Sequence, residues 1–179
     1  MPIPAETTGL ILAGGESRRF GRDKALAVLD GQTFIERVAG ALAPHVCETL
    51  VSTGSSPRAY PIEARVVLDA TRDAGPLAGL AAGLGAATTP WLLAVAVDLP
   101  HLTPEAIALL LVDARPEADG VVALDTVGRP QPVCALWRVG TVAPVVQEQI
   151  EAGDLAMWRL AERLHVREVA LGEAIRNVN

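Results

Sequence analysis

Short apolar runs alternate with amphipathic stretches along most of this chain. Each apolar run is bounded by glycine or polar residues, a pattern typical of β-strands. The run at 91–97 is apolar at every position, as expected of a strand that is covered on both faces of a parallel sheet. Strands are therefore predicted at 9–13, 46–52, 64–70, 91–97, 120–124, 132–137 and, shorter, 166–170.

The amphipathic stretches between these runs predict helices. Thr33 and Glu36 have the spacing of a capping box, and Thr103 followed by Pro104 suits an N-cap and first helical position. Further helices are predicted at 75–87, 141–150 and 154–164. Within 75–87, Gly79 and Gly83 lower helix propensity, which suggests that they allow close packing or the approach of a ligand.

Strands that alternate with helices predict an α/β fold. We expect one three-layer domain over residues 1–179, with a Rossmann-like, mostly parallel sheet and helices on both faces. Ligands of such sheets bind beyond the carboxyl ends of the strands. Three features follow predicted strands there: the loop at 14–24, Asp69 and Asp98.

Composition and charge narrow the range of partners. The net charge is −6 and no run of about 20 apolar residues occurs, so neither nucleic-acid binding nor a membrane association is expected. The amino terminus lacks the basic start of a signal peptide, which predicts a cytoplasmic protein. Cys47 and Cys134 lie in apolar stretches without metal-ligand spacing, and we expect both to be buried thiols.

The loop "GGESRRFGRDK" at 14–24 concentrates positive charge in an acidic protein. It contains Arg18, Arg19 and Arg22, and it ends at Lys24, the single lysine in a chain with fourteen arginines. Glycine backbone and cations after a strand are suited to binding phosphate, although a solvated basic turn has the same composition. The spacing is neither that of a Walker A loop nor G-x-G-x-x-G.

Asp98 follows the most apolar of the predicted strands. A carboxylate at that edge, beside a phosphate-binding loop, is well placed to hold Mg²⁺. The alternative is a turn or helix-capping aspartate, since Pro100 and Thr103 follow closely.

Five segments resemble, in order, the molybdenum cofactor guanylyltransferase family of the nucleotidyltransferase superfamily. They are "LILAGGESRRFGRDKAL", "DAGPLAGLAAGL", "VDLPHL", "RPQPVCALW" and the terminal "RNVN". Phe20 stands where the family motif usually has methionine. The resemblance runs from about residue 9 to 179 and implies a nucleotide-diphospho-sugar-transferase-like fold.

The resemblance also implies an activity, which is transfer of GMP from GTP to the phosphate of molybdopterin with release of pyrophosphate. Lys24, Arg19 and Asp98 would be the catalytic residues, and Asp98 would hold Mg²⁺. Asn177 and Asn179 would lie on the pterin or metal side. The nucleotide-binding set would be Leu12, Ala13, Gly14, Gly15, Lys24, Thr53, Asp69 and Asp98. Possible protein partners are the molybdenum-insertion protein and chaperones of molybdoenzymes.

Other functions stay open at this point. A related cytidylyl- or sugar-phosphate nucleotidyltransferase would share the loop, and Gly14 is the one residue of "LAGG" that favours the guanylyl branch. A catalytically silent nucleotide-binding partner would not need both Lys24 and Asp98. A purely structural α/β module would leave the charged loop unexplained.

Overall fold

A computed structural model describes residues 1–14, 23–69 and 75–178. Their helices and strands are β1 (Thr7–Leu12), β2 (Val28–Leu29), β3 (Gln32–Thr33), α1 (Phe34–Leu42), β4 (Glu48–Ser52), β5 (Arg65–Val67), α2 (Gly75–Ala86), β6 (Trp91–Ala96), α3 (Pro104–Val112), β7 (Gly120–Leu124), β8 (Pro130–Arg138), α4 (Val139–Glu151), α5 (Met157–Arg163) and β9 (Val166–Ala170). Single 3₁₀ turns lie at Pro4–Glu6, Lys24–Leu26, Ala43–His45 and Gly172–Ile175.

The main sheet is mostly parallel, as predicted. Its strand order is β5-β4-β1-β6-β8-β7-β9, and only β8 runs antiparallel to its neighbours. Because the other six strands point the same way, their carboxyl ends form one edge. The first strand, β1, lies between β4 and β6, so the segment that leaves it emerges near the middle of that edge.

Both faces of the sheet are covered by helices, which confirms the three-layer prediction. Successive residues of a strand point to opposite faces. In β1, Leu10 and Leu12 belong to the core under α2, α4 and α5, whereas Ile11 belongs to the core under α1 and α3. That residues 1–179 form one domain stays a prediction.

The predicted caps are present. The hydroxyl of Thr33 accepts a hydrogen bond from the amide of Glu36 at 3.3 Å, and the Glu36 carboxylate accepts one from the amide of Thr33 at 2.8 Å. Thr103 caps α3 through the amide of Ala106. A short hairpin, β2–β3, was not predicted. Its turn residues, Asp30 and Gly31, have φ values of 51° and 83°, and an Asp-Gly pair is the known sequence signal for such a turn.

Helix α2 packs tightly against the sheet through its glycines. A Cβ atom on Gly79 would lie 2.6 Å from Ser52 Oγ and 2.9 Å from Leu12 Cδ2, and one on Gly83 would lie 2.4 Å from Leu10 Cδ2. The close-packing interpretation of these two glycines is therefore confirmed. Gly85, in the same helix, has no neighbour within 4 Å of its would-be Cβ.

This contrast gives a prediction for stability. Gly79→Ala should lower the free energy of unfolding by about 1–3 kcal/mol because the added methyl group overpacks the site. Gly85→Ala is the matched control and should be neutral or stabilising, by up to about 1 kcal/mol, because alanine favours the helix. Urea unfolding of both variants measures the difference, and equal stabilities would contradict the packing argument.

Candidate functional site

The site is built where β1, β4 and β6 end side by side. Beyond β1, the amide of Ala13 donates to the carbonyl of Ser52 at 3.0 Å, and the amide of Val97 donates to the carbonyl of Leu12 at 3.2 Å. The chain thus leaves the sheet at Ala13, held to both neighbouring strands. The predicted nucleotide residues Leu12 and Ala13 stand at the carboxyl edge of the sheet.

Gly14 lies directly against the backbone that follows β4. A Cβ atom on Gly14 would be 2.7 Å from the amide nitrogen of Gly54 and 3.1 Å from its Cα, so only glycine fits here. Thr53, one of the predicted nucleotide-binding residues, is buried beside it, and its hydroxyl donates to the carbonyl of Ser56 at 2.8 Å. The structure therefore brings Gly14 and Thr53 to one place.

Asp69 lies at the same edge, beyond β5. Its Oδ1 accepts a hydrogen bond from Ser52 Oγ at 2.6 Å, and its amide donates to the carbonyl of Gly54 at 3.0 Å. Burial raises the pKa of the Asp69 carboxyl, and the hydrogen bond from Ser52 partly opposes that rise. Ser52 was not predicted as a site residue, although its place at the end of a predicted strand was a usable signal.

Asp98 is the point at which distant parts of the chain meet. Its Oδ2 accepts hydrogen bonds from Asn177 Nδ2 at 2.8 Å and from Lys24 Nζ at 3.4 Å. The amide of Val178 donates to the Asp98 carbonyl at 3.2 Å, which ties the C-terminal segment to this turn. Lys24 and Asp98 retain 29% and 24% of their side-chain exposure, so a ligand can reach both.

Asp98 offers one carboxylate that could serve as a ligand of a magnesium ion shared with phosphates. Over the described ranges, no hydrogen bond to Asp98 Oδ1 is found, and no group of three or more His, Cys, Asp or Glu side chains is arranged to hold a metal. A single carboxylate is what Mg²⁺ needs when waters and phosphate oxygens supply its other ligands.

Six residues named from the sequence lie outside the described residues: Gly15, Arg18, Arg19, Phe20, Arg22 and Asn179. Their predicted roles stay predictions.

Two of the three histidines contact backbone carbonyl oxygens. His45 Nε2 lies 2.9 Å from the carbonyl oxygen of Pro104, and His165 Nδ1 lies 3.0 Å from that of Glu117.

Cys134 is buried as predicted, and burial raises the pKa of its thiol to about 12. The prediction for Cys47 was wrong, because this thiol is exposed. Strand β4 begins one residue later, at Glu48, so Cys47 lies outside the covered part of the sheet.

A groove of about 710 Å³ lies at the opposite edge of the sheet, where β4 and β5 begin. Its lining includes Cys47, Glu63 and Arg65 and none of the residues proposed for the site above. The carboxyl edge is the usual ligand-binding edge of such sheets, so the groove does not replace the site at Asp98.

A contact that the sequence did not reveal supports the turn that carries Lys24. Asp23, the residue before Lys24, accepts hydrogen bonds from Arg58 Nη1 and Tyr60 Oη, each at 3.0 Å. The only sequence signal was the position of Asp23 as a candidate cap for the next turn.

This sheet, with glycine backbone, a lysine and an aspartate collected at its carboxyl edge, is typical of nucleotide-binding α/β proteins. Residues 9–168 match the MobA-like NTP transferase domain. A protein of Burkholderia orbicola named molybdenum cofactor guanylyltransferase is 39% identical over 168 residues, which cover 86% of this chain and 82% of that protein. The chain belongs to the MobA-like NTP transferase family, a family of nucleotidyltransferases.

Solved structures confirm the expected nucleotide-diphospho-sugar-transferase-like fold. Molybdopterin-guanine dinucleotide biosynthesis protein A from Archaeoglobus fulgidus superposes with a TM-score of 0.74 at 23% identity, covering 92% of this chain and 83% of that one. The 2-C-methyl-D-erythritol 4-phosphate cytidylyltransferase of Thermus thermophilus gives 0.72 at 19% identity, covering 95% and 91%. In the described part of the chain, every helix is too short or too polar to span a bilayer.

Proposed function

We propose that this protein transfers GMP from GTP to the phosphate of molybdopterin and releases pyrophosphate. The observation that carries the proposal is the meeting of Lys24 with Asp98 at the carboxyl edge of the sheet, beside the close approach of Gly14 to Gly54. Family membership supports the reaction class, and the relative from Burkholderia orbicola is named for this reaction.

The backbone of 12–15 would run along the nucleotide. A Cβ atom on Gly14 would collide with the backbone of Gly54, so only glycine lets the chain follow this path beside the end of β4. Thr53 and Asp69, on the neighbouring strand ends, would line the guanosine side. Asp69 accepts a hydrogen bond from Ser52, which fixes the orientation of its carboxyl group.

Asp98 would hold Mg²⁺ through its carboxylate, and Asn177 would keep that carboxylate in position. When bound, the ion would neutralise charge on the triphosphate. Lys24 Nζ lies 3.4 Å from Asp98 Oδ2, a long contact between partly exposed groups. Exposed ion pairs of this kind are weak, so we expect Lys24 to exchange Asp98 for the phosphate oxygens when nucleotide binds.

In the reaction, an oxygen of the molybdopterin phosphate attacks the α-phosphorus of GTP. The new bond joins that oxygen to the α-phosphorus, and the bond from the α-phosphorus to the bridging oxygen of pyrophosphate breaks, so that this oxygen leaves with the electron pair. A phosphate monoester is already ionised near neutral pH, and no general base is required. Lys24 and Arg19 would stabilise the charge that develops on the α-phosphate and on pyrophosphate.

Two alternatives remain. The fold shared with a cytidylyltransferase supports a related enzyme with another nucleotide or a sugar phosphate as substrate. A catalytically silent nucleotide-binding partner is less consistent with a Lys24–Asp98 pair that a ligand can reach.

A panel of nucleotides tests the proposal. With Mg²⁺, GTP at about 100 times its Kd should raise the melting temperature by about 5–10 °C, more than ATP, CTP or UTP at the same concentration. A larger shift with CTP would favour the cytidylyl alternative, and equal or absent shifts would contradict guanylyl transfer. Pyrophosphate release from GTP plus molybdopterin then separates an enzyme from a silent binder.

A further inference from the structure

The carboxylate of Asp23 is held from two sides. Its Oδ2 accepts hydrogen bonds from Arg58 Nη1 and Tyr60 Oη, both at 3.0 Å. Its Oδ1 accepts one from the amide of Ala25, also at 3.0 Å, and so caps the 3₁₀ turn Lys24–Leu26. One side chain therefore joins the turn that carries Lys24 to the connection between β4 and β5.

The two donors differ in what they contribute. Tyr60 packs against the core beneath α1, and burial followed by its hydrogen bond to Asp23 raises the pKa of its hydroxyl to about 12. The hydroxyl therefore remains a donor at every physiological pH. Arg58 keeps 53% of its side-chain exposure while Asp23 keeps 19%, so this ion pair is on the surface and adds orientation rather than much stability.

Lys24 is the residue directly after this cap. At one end of the turn Asp23 is fixed by Arg58 and Tyr60, and at the other Ala25 is fully buried. The backbone from which the Lys24 side chain extends is therefore held on both sides. Its ammonium then lies within 3.4 Å of Asp98, a residue 74 positions away.

We propose that Arg58 and Tyr60 are positioning residues, which fix the place of Lys24 relative to the nucleotide phosphates. They hold the Asp23 carboxylate, and Asp23 in turn presents the ammonium of Lys24 to the triphosphate. This inference rests on the proposed function for the role of Lys24 in turnover. It adds that the connection between β4 and β5 sets the position of the Lys24 ammonium, although that connection carries none of the reacting groups.

The test uses four variants, one of which is the double variant Arg58→Gln/Tyr60→Phe, and a matched control. Tyr60→Phe removes only the hydroxyl. Asp23→Asn keeps an oxygen that can cap the turn and loses the acceptor shared by Arg58 and Tyr60. Arg58→Lys keeps a cation and should retain most activity. The control is Arg65→Gln, because Arg65 has 51% side-chain exposure and pairs with Glu48 at the opposite edge of the sheet.

In the kinetic test, Asp23→Asn and the double variant Arg58→Gln/Tyr60→Phe should lower kcat by about 10- to 100-fold, because a small displacement of a catalytic group costs that much. The KM for GTP should change less than 3-fold, on the order of ordinary variation in binding. Arg65→Gln should match the wild type. Unchanged kcat in both test variants would overturn the proposal.

A second measurement does not depend on turnover. Lys24 is the single lysine, so ¹³C,¹⁵N-lysine labelling of the full chain gives one backbone amide signal and one ε-methylene signal. In the wild type, the chemical shift of Lys24 Cα should be that of a residue in a 3₁₀ turn. The two protons of its ε-methylene group should have different chemical shifts. In Asp23→Asn and the double variant both signals should move toward random-coil values, since freed side chains average rapidly.

The two measurements separate the two claims. If the wild type does not convert GTP, the proposed function fails, while the lysine signals still test the positioning of Lys24. If turnover occurs and the lysine signals are the same in wild type and variants, the positioning proposal fails. A loss of melting temperature and kcat with unchanged lysine signals assigns Arg58 and Tyr60 a structural role only, which also overturns it.

Discussion

Replacing Asp98 by alanine is expected to lower pyrophosphate release from GTP plus molybdopterin by about 10³-fold or more while the fold survives. Asp98 is the carboxylate at which Lys24 and Asn177 meet, and it is the residue proposed to hold Mg²⁺. Its removal leaves the triphosphate charge without the ion that would balance it. Asp98→Asn should be impaired almost as severely, because its amide keeps the shape and loses the charge.

The matched control for this experiment is Asp113→Ala. Asp113 is a carboxylate of similar exposure, 21% against 24%, and its Oδ2 accepts from Arg167 Nε at 2.7 Å. Its loss should affect stability and leave turnover unchanged. Circular dichroism verifies the fold, and Mn²⁺ binding in the presence of GTP, followed by electron paramagnetic resonance, verifies the loss of the metal. A fully active Asp98→Ala protein would remove Asp98 as the essential metal ligand.

Replacing Lys24 by arginine is expected to separate binding from turnover. Lys24→Arg should retain GTP binding within about 10-fold and lose about 10²- to 10³-fold in kcat. A guanidinium is planar and forms paired hydrogen bonds with a carboxylate, so arginine at this position would bind Asp98 more firmly than an ammonium at 3.4 Å does. The arginine would then move from Asp98 to the phosphates less readily. Its planar group would also be less able to keep contact with the α-phosphate as that group moves during the reaction.

Lys24→Ala serves as the reference for loss of the cation and should abolish turnover. Arg65→Lys, the same exchange in reverse at the other edge of the sheet, should be neutral. Calorimetry gives the affinity for GTP, and a coupled pyrophosphate assay gives kcat. Equal kcat for Lys24→Arg and the wild type would show that charge alone is needed at this position, and would contradict the role given to the compact ammonium.

The sequence predicted most of the regular elements because their signals are local. Run 91–97 was apolar throughout, and β6 is a central strand covered on both faces. Thr33 and Thr103 cap α1 and α3 because a capping hydroxyl acts on amides only two or three residues away. The β2–β3 hairpin was missed although its Asp30–Gly31 signal is equally local.

The exposure of Cys47 shows where local signals stop. Its apolar neighbours predicted a buried thiol, and the boundary of β4 at Glu48 leaves it outside. Whether a residue beside the end of a strand is covered depends on which other segments of the folded chain pack over it, and a single run of residues does not contain that information.

The sequence by itself determined the α/β fold class, the family resemblance and the choice of Lys24, Asp69 and Asp98 as candidates, because these follow from hydrophobic period and from motif residues close together in the chain. Only the tertiary structure decided that Asn177 and Lys24 share one oxygen of Asp98, and that Tyr60 and Arg58 hold Asp23. Those contacts join residues 35 to 79 positions apart. Strand order and parallel direction bring such residues together, and neither is encoded in any one segment.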